Sequence, residues 1–504
     1  MNHNNKNIPQ DSLRSRLRNR RYACGFRKGE PRARLSRALR GESCGETILE
    51  EGGRNFRADL GKALALRRSL FGRSKGFNLP DPVEYIFPKE PCDISEIKSL
   101  WRSYLANKNR DHLLSLYLHI PFCSMRCEFC NCRSAVPSKK EDIDHYLDYL
   151  INYLNYFKDT FNKIFFDNLY IGGGTPSLLG KASLDRLLKV IFSNFKFKRN
   201  GQLNCELNPL TAAGEKLRLL RNYGFNRVSF GVQSLDPRVL KLNNRGYQTV
   251  KMVDEAIKNA KAADFKYINV DLIVGLYGDS SEALVKSFEK IISFRPQKIS
   301  IYPLQPKDDY LKKHFDSDPH KFEEFWRSLF ERSLTRISDM ARENDFYVPR
   351  YDNLHLRMAS ASCWSYDDLG IKPQKKDYIG DTPNHSIFGA GEGAVSKIEG
   401  SLRYETDRLA SALLKSRFLG TRRNSRIAML DYICRTLNMM NFISYGRFSE
   451  LFSKDFLAEF KRPIKNLVAM GAGRILSDRF ELITNDRDER TLQLLLFFSE
   501  DEIK

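Results

Sequence analysis

The chain has 504 residues, of which 41% are hydrophobic and 12% aromatic, enough for a large core in two or three structural units and outside the composition of disordered or fibrous chains. No run approaches the roughly 18 consecutive apolar residues that a membrane-spanning helix needs, so no membrane association is expected. The formal charge of +21 is uneven: residues 1–75 hold 19 Lys+Arg against 7 Asp+Glu, and the excess marks an N-terminal arm more than the surface as a whole.

Taken in chain order, residues 1–75 read as a basic, flexible extension, with binding to nucleic acid or another acidic surface as its alternative use. The first ten residues are polar and lack the apolar core of a secretory signal, so the expected compartment is the reducing cytoplasm. The 10 cysteines are then expected as thiols or metal ligands. Residues 76–114 lead into a core at 115–305, where short β-rich runs alternate with amphipathic stretches. The strands are expected at Leu116 to Ile120, Asn168 to Ile171, Gln202 to Leu207, Arg227 to Val232, Tyr267 to Ile273 and Lys298 to Tyr302. Between them, helices are expected at Asp142 to Phe157, Leu184 to Phe195, Ala212 to Tyr223, Val250 to Ala263 and Ser281 to Phe294. Such alternation implies an α/β protein whose parallel sheet curls into a complete or partial barrel, with ligands at the carboxyl ends of the strands.

Beyond Leu304 the rhythm breaks. Segment 306–420 carries a long helix around Lys321 to Glu343 and an irregular tract from Pro349 to Lys397, read as substrate-side loops that close over a site. Segment 421–504 reads as a small helical unit of winged-helix-like order that ends in a strand pair, Phe480 to Ile483 and Thr491 to Leu495.

The chemistry concentrates in one loop. Cys123, Cys127 and Cys130 stand in a C-x3-C-x2-C spacing just after the first strand of the core. Three thiolates so close can hold three irons of a cubane and leave the fourth open. An open iron is what S-adenosylmethionine (SAM) needs in order to chelate through its amino and carboxylate groups and accept an electron into its carbon–sulfur bond. The alternative is structural zinc with Cys132 as fourth ligand, although zinc motifs usually pair two separated ligand knuckles.

With its neighbouring motifs this loop resembles a family, the oxygen-independent coproporphyrinogen III oxidases and their relatives (HemN-like) within the radical SAM superfamily. The resemblance covers residues 112–504. It rests on Tyr117-Leu-His-Ile-Pro-Phe-Cys123, the three-cysteine spacing with Cys132 two places later, Gly172-Gly-Gly-Thr-Pro176, Asn226-Arg-Val-Ser-Phe-Gly-Val-Gln233 and Val270-Asp-Leu-Ile-Val-Gly275. It implies a partial (β/α)6 radical SAM barrel with a small C-terminal winged-helix-like domain. It also implies a 4Fe–4S cluster on Cys123, Cys127 and Cys130, with SAM beside it.

The family pattern implies further roles. Tyr117 and Phe129 flank the SAM, while Gly173, Gly174 and Thr175 bring backbone amides close to its methionine portion. Glu206 and Asp271 accept hydrogen bonds from ribose hydroxyls or the SAM amine, and Gln233 and Arg245 serve the ribose and carboxylate. His119 reads as a hydrogen-bonded strand residue. Cys132, which the cluster does not need, marks the oxidase branch more than the heme-chaperone branch and is assigned to substrate chemistry.

Two features separate the radical machinery from the substrate. Tyr302-Pro-Leu304 replaces the sequence expected near the substrate of a coproporphyrinogen oxidase, and the tract 349–385 matches only loosely. The implied function is a radical SAM oxidoreductase acting on a porphyrinogen or a related small molecule, possible partners being a flavodoxin or ferredoxin as electron donor, with the chain a monomer. Its rivals are a radical SAM methyltransferase or cyclopropanase of natural-product synthesis, a heme chaperone, and a nucleic-acid-binding protein with structural zinc.

Overall fold

The computed structural model describes residues 83, 86–107, 112–347, 362–366, 385–483, 490 and 493–499. The basic arm at 1–75 lies outside the described residues.

β1 (Glu90–Cys92) and α1 (Ile94–Ala106) precede β2 (Leu113–Ile120). The βα alternation then runs through α2 (Lys140–Phe161), β3 (Phe165–Gly173), α3 (Lys181–Asn194), β4 (Lys196–Leu207), α4 (Gly214–Asn222) and β5 (Arg227–Gln233). It continues with α5 (Pro237–Leu242), α6 (Val250–Ala262), β6 (Tyr267–Val274), α7 (Ser281–Ser293) and β7 (Lys298–Pro303). Local chemistry sets several of the boundaries. Asp93 accepts from the amides of Ser95 and Glu96 at the start of α1, Thr249 caps α6 through Met252, and Ser280 caps α7 through Ala283.

Strands β2 to β7 pair in sequence order and all in parallel. With β8 (Phe346–Tyr347), β9 (Ser362–Tyr366), β10 (His385–Ala390), β11 (Val395–Ile398), β12 (Leu402–Arg408) and β13 (Arg417–Arg422), the order of the whole sheet, β1-β13-β12-β11-β10-β2-β3-β4-β5-β6-β7-β9-β8, is linear, so the barrel is partial. β10 adds in parallel beside β2, and β11, β12 and β13 extend that edge antiparallel. At the other edge β9 and β8 follow β7, connected through α8 (Asp308–His314) and α9 (Pro319–Glu343).

The stretch 385–398 was expected to be irregular and instead forms β10, a turn and β11. Its glycines belong to strand packing and the turn: a side chain on Gly391 (φ 108°) would strike the His119 carbonyl and the Tyr146 hydroxyl.

The side-chain period of two divides each central strand between the sheet's faces. Leu203, Cys205 and Leu207 of β4, Val228, Phe230 and Val232 of β5, and Ile268, Val270 and Leu272 of β6 join the main core, with Leu187, Leu188, Ile191, Leu217, Leu220, Phe288 and Ile291 from the helices. The opposite phase presents Asn204 and Glu206, Ser229, Gly231 and Gln233, Asn269 and Asp271, and Ser300 and Tyr302. Registry makes neighbours of them: Glu206 pairs with Ser229, Gly231 with Asp271, and Asp271 with Ser300. The concave polar face of the sheet is thus assembled by alternation alone.

A second core gathers α10 (Ser425–Met440), β14 (Phe442–Ser444), α11 (Tyr445–Phe452), α12 (Phe456–Glu459), α13 (Lys461–Ala469), β15 (Gly473–Ile475) and β16 (Arg479–Leu482) around Phe448, Phe456, Phe460 and Phe480. The expected strand from Thr491 to Leu495 is not formed: Gln493 to Leu495 are helical, and β16 pairs with β14 and β15 instead. The burial of Leu494, Leu495, Phe497 and Phe498 follows helical spacing rather than alternation.

A buried ionic group ties this unit to the sheet. Asp431 of α10, 2% exposed, accepts from Arg435 Nε at 2.6 Å and pairs with Arg423, while Lys397 of β11 lies 4.0 Å away. Burial alone would push the Asp431 carboxyl up, but the three cations outweigh it and hold it far below the usual range. Asp431→Ala removes the carboxylate that Arg423 and Arg435 share, while Lys397 keeps Glu399 at 2.7 Å, and should cost about 3–5 kcal/mol, read as a loss of thermal stability with the secondary structure of the folded state unchanged.

Candidate functional site

The cluster loop leaves β2 at Ile120 and is closed at its base by Cys123 N–H donating to the Ala135 carbonyl (3.0 Å) and Ala135 N–H to that of Pro121 (2.7 Å). Within it Cys130 N–H donates to the Cys127 carbonyl at 3.2 Å. The surrounding elements then hold it from several sides. Glu128 N–H donates to the Asn243 carbonyl (3.3 Å), Asn244 Nδ2 to the Arg126 carbonyl (2.7 Å) and Lys307 Nζ to the Cys130 carbonyl (2.9 Å). The Glu128 carboxylate accepts from His314 Nε2 at 2.7 Å, and the His314 ring stacks on Tyr277 at 4.3 Å.

All four thiols of the loop line one cavity of about 380 Å³ at the carboxyl ends of the strands. Cys123 Sγ lies 3.3 Å from Thr175 Oγ1, and Cys127 Sγ is 3.4 Å from Arg245 Nη1. A hydrogen bond from Cys132 lowers the Cys130 thiol to about 6 and pushes Cys132 up.

The cavity floor is the polar face of the sheet. Glu206 accepts from the Tyr170 hydroxyl and from Gly173 N–H (3.2 Å), and Asp271 accepts from Asn269 Nδ2 (2.7 Å). Burial raises Glu206 to about 7 and Asp271 to about 6, and the Asp271 charge adds to the rise of Glu206. Desolvation outweighs the hydrogen bonds from Tyr170, Gly173 and Asn269 that favour the charged forms.

The structure brings nearly every residue singled out in the sequence to this cavity: the four cysteines, Phe129, Gly173, Gly174, Thr175, Glu206, Gln233, Arg245 and Asp271. Tyr117 is not on its wall. Its hydroxyl bonds His119 Nδ1 at 2.9 Å while His119 Nε2 lies 2.8 Å from the Arg133 carbonyl, so Nε2 carries the proton and Tyr117 is the donor. His119 is accordingly a hydrogen-bonded strand residue.

The amides of Gly173 and Gly174 also depart from expectation. Gly173 N–H goes to Glu206 and Gly174 N–H to the Ile120 carbonyl at 2.8 Å, so neither is left to meet a ligand. Glycine is required there by the protein itself: at Gly173 (φ 113°) a side chain would meet the His119 ring.

Sequence reasoning passed over Asn208, Ser229, Tyr247 and Gln305, all of which line the cavity, as do Tyr302, Pro303 and Leu304, which it had placed near the substrate. Asn208 and Gln305 lie just past the ends of β4 and β7, where the strand-end rule could have found them.

The donor set suits an iron–sulfur cluster. Soft thiols on one short loop open into a cavity with room for an organic ligand. In a cubane each thiolate meets its own iron, which three thiols on one loop can satisfy, whereas zinc motifs usually pair two separated ligand knuckles.

Fold and cavity together define a radical SAM protein. Residues 117–291 match the family model of the Radical SAM superfamily. The chain is 34% identical over 189 residues to the oxygen-independent coproporphyrinogen III oxidase of Escherichia coli, covering 38% of this chain and 41% of that protein. It is 32% identical over 284 residues to the heme chaperone HemW of Mycobacterium tuberculosis, covering 55% of this chain and 68% of the relative. In three dimensions it is similar to the solved structure of the Escherichia coli oxidase HemN, with a TM-score of 0.66 at 20% identity over 84% of this chain and 96% of that one. The chain belongs to the HemN-like family of radical SAM proteins, whose cofactors are a 4Fe–4S cluster and SAM.

Proposed function

We propose that this protein is a radical SAM oxidoreductase that acts on a porphyrinogen or a closely related polycarboxylate. The observation that carries the reading is Cys132, a fourth thiol that lines the same cavity as the three cluster cysteines and is not needed to hold a cubane. When bound, the reduced cluster supplies an electron to SAM and so makes available a carbon radical that removes hydrogen from an unactivated carbon.

The protein's own residues have distinct tasks in this scheme. Cys123, Cys127 and Cys130 would hold the cluster as thiolates, three ligands for four irons, so that one iron would be open to SAM. Glu206 and Asp271 would accept from its ribose hydroxyls or amine, Gln233 would add a polar contact, and Phe129 would pack against its adenine. Phe129 lines the cavity and is packed in a cluster with Val239, Leu276, Leu304 and Tyr310. Cys132 faces the substrate. A reducing cytoplasm suits the free thiols, the electron donor would be a flavodoxin or ferredoxin, and the working form a monomer. No helix among the described residues is long and apolar enough to cross a membrane.

The test is anaerobic incubation of the reconstituted protein with SAM, a reductant and coproporphyrinogen III. Release of carbon dioxide with formation of a vinyl group supports the proposal, and unchanged substrate beside SAM cleavage refutes this substrate class. The second reading, a heme chaperone, is favoured by the match to HemW over 68% of its length and by Tyr302-Pro-Leu304 on the cavity wall. It predicts stoichiometric heme binding without substrate turnover.

The carboxyls give a pH prediction. Glu206, facing Tyr170, Asp271, Arg227 and Cys132, is protonated below about 7, and Asp271 below about 6. A cationic ligand favours their ionised forms, so its binding releases protons. SAM affinity should therefore rise with pH between about 6 and 8 and then level off, and Glu206→Gln should flatten the rise. Isothermal titration in buffers of different ionisation enthalpy reads both the affinity and the proton release.

A further inference from the structure

The end of α5 is laid along the cluster loop: Glu128 N–H donates to the Asn243 carbonyl at 3.3 Å, and Asn244 Nδ2 to that of Arg126 at 2.7 Å. Just before this seam α5 carries Arg238, Lys241 and Leu242, whose spacing puts them on one helix face. All three are exposed, Leu242 at 37%, and none of them lines the cavity. Arg238 Nη2 donates to the Gly278 carbonyl at 2.7 Å, and Leu242 rests against the same glycine. Across the seam the exposed Arg126 borders the cavity and precedes Cys127. The acids nearby are engaged. Asp236 accepts from the amides of Arg238 and Val239 (2.9 Å each), Asp279 is buried beneath the patch edge and accepts from Ser280 N–H, and Glu128 accepts from Lys313 and His314. Beyond Glu128, α8 is balanced, with Lys312 and Lys313 against Asp308 and Asp309. An exposed leucine among three cations therefore stands beside the cluster loop at Cys127, outside the cavity.

We propose that Arg126, Arg238, Lys241 and Leu242 form the docking surface for an acidic one-electron carrier protein, of flavodoxin or ferredoxin type, which delivers its electron to the cluster at Cys127. This rests on Cys123, Cys127 and Cys130 being the cluster ligands. The transfer oxidises the carrier by one electron and reduces the cluster by one, and no bond is made or broken. The cavity side of the loop is given to SAM and substrate, so a carrier has to approach the cluster from outside the cavity. Cys127 is 9% exposed and is the ligand nearest the seam, which keeps the path through the protein short. Opposite charge steers the encounter and sets its orientation, while a leucine inside a ring of cations supplies the apolar contact typical of an interface centre.

The test is anaerobic stopped-flow reduction of the reconstituted full-length protein by an acidic flavodoxin in its hydroquinone form, without SAM. The expected second-order rate falls as salt rises, and at low salt Arg126→Glu/Lys241→Glu is about tenfold slower than wild type, the difference closing at high salt. Lys286→Glu, an equal charge change per site on the exposed face of α7, should react at the wild-type rate. Excess dithionite should still drive SAM cleavage by Lys241→Glu at the wild-type level, which places the loss in docking. If the double variant does not load iron, Lys241→Glu alone decides, since that side chain lies outside the cavity: slower reduction by flavodoxin supports the proposal and a wild-type rate overturns it. Equal slowing by Lys286→Glu would also overturn it, by making the effect one of net charge. So would a wild type that dithionite reduces but neither flavodoxin nor a 2Fe–2S ferredoxin does. A wild type that takes up no iron would overturn the ligand assignment together with the docking surface that depends on it, and iron analysis separates that failure from the others.

Discussion

Replacing Cys123, Cys127 or Cys130 by Ala should abolish the iron–sulfur chromophore, because two thiolates cannot retain a cubane. The effect should be near-complete loss of bound iron in each single variant, measured as iron and acid-labile sulfide after anaerobic purification. The fold should survive. The loop is closed by backbone bonds at Cys123 and Ala135 and gripped by Asn243, Asn244 and Lys307, and none of those bonds uses a cysteine side chain. Variants that keep full iron would remove these residues from the ligand set, while variants that unfold would give the loop a structural role instead.

Cys132→Ser should separate cofactor chemistry from substrate chemistry. Cys132 is an exposed residue of the loop whose thiol hydrogen-bonds Cys130 and which lines the cavity. The variant is expected to bind its full complement of iron and to yield 5′-deoxyadenosine from SAM while product falls by about 10²-fold or more, the scale of a lost proton-transfer group. Both products are quantified in the same reaction. Loss of iron would make Cys132 part of the cluster site, and normal turnover would remove it from the chemistry.

The parts of this molecule that local pattern specifies were legible in the sequence. Strands β2 to β7 announce themselves as β-rich runs separated by stretches of helical period, and their observed ends fall within about three residues of the expected ones, except that β4 begins at Lys196 instead of Gln202. The cysteine spacing placed the candidate ligands on one loop, and the resemblance to the family's motifs marked Glu206 and Asp271.

What escaped depends on contacts distant in sequence. β10 read as loop because its glycines mean strand only beside β2, where Ser115 meets His385 across 270 positions at 2.7 Å. Tyr117 lies two residues from His119 in a motif that invites a ligand role, yet its hydroxyl is taken by that histidine. The amides of Gly173 and Gly174 are likewise consumed by Glu206 and Ile120. Which acceptor a donor chooses is a tertiary fact that no motif records.

The most direct test of the central claim is the fate of SAM. The anaerobically reconstituted full-length protein, given SAM and a strong low-potential reductant, should convert it to 5′-deoxyadenosine and methionine in equal amounts, in proportion to bound iron and not at all when Cys127 is replaced by Ala. A wild type that carries stoichiometric zinc, or one that carries a full 4Fe–4S cluster and leaves SAM intact under the same conditions, would contradict the account.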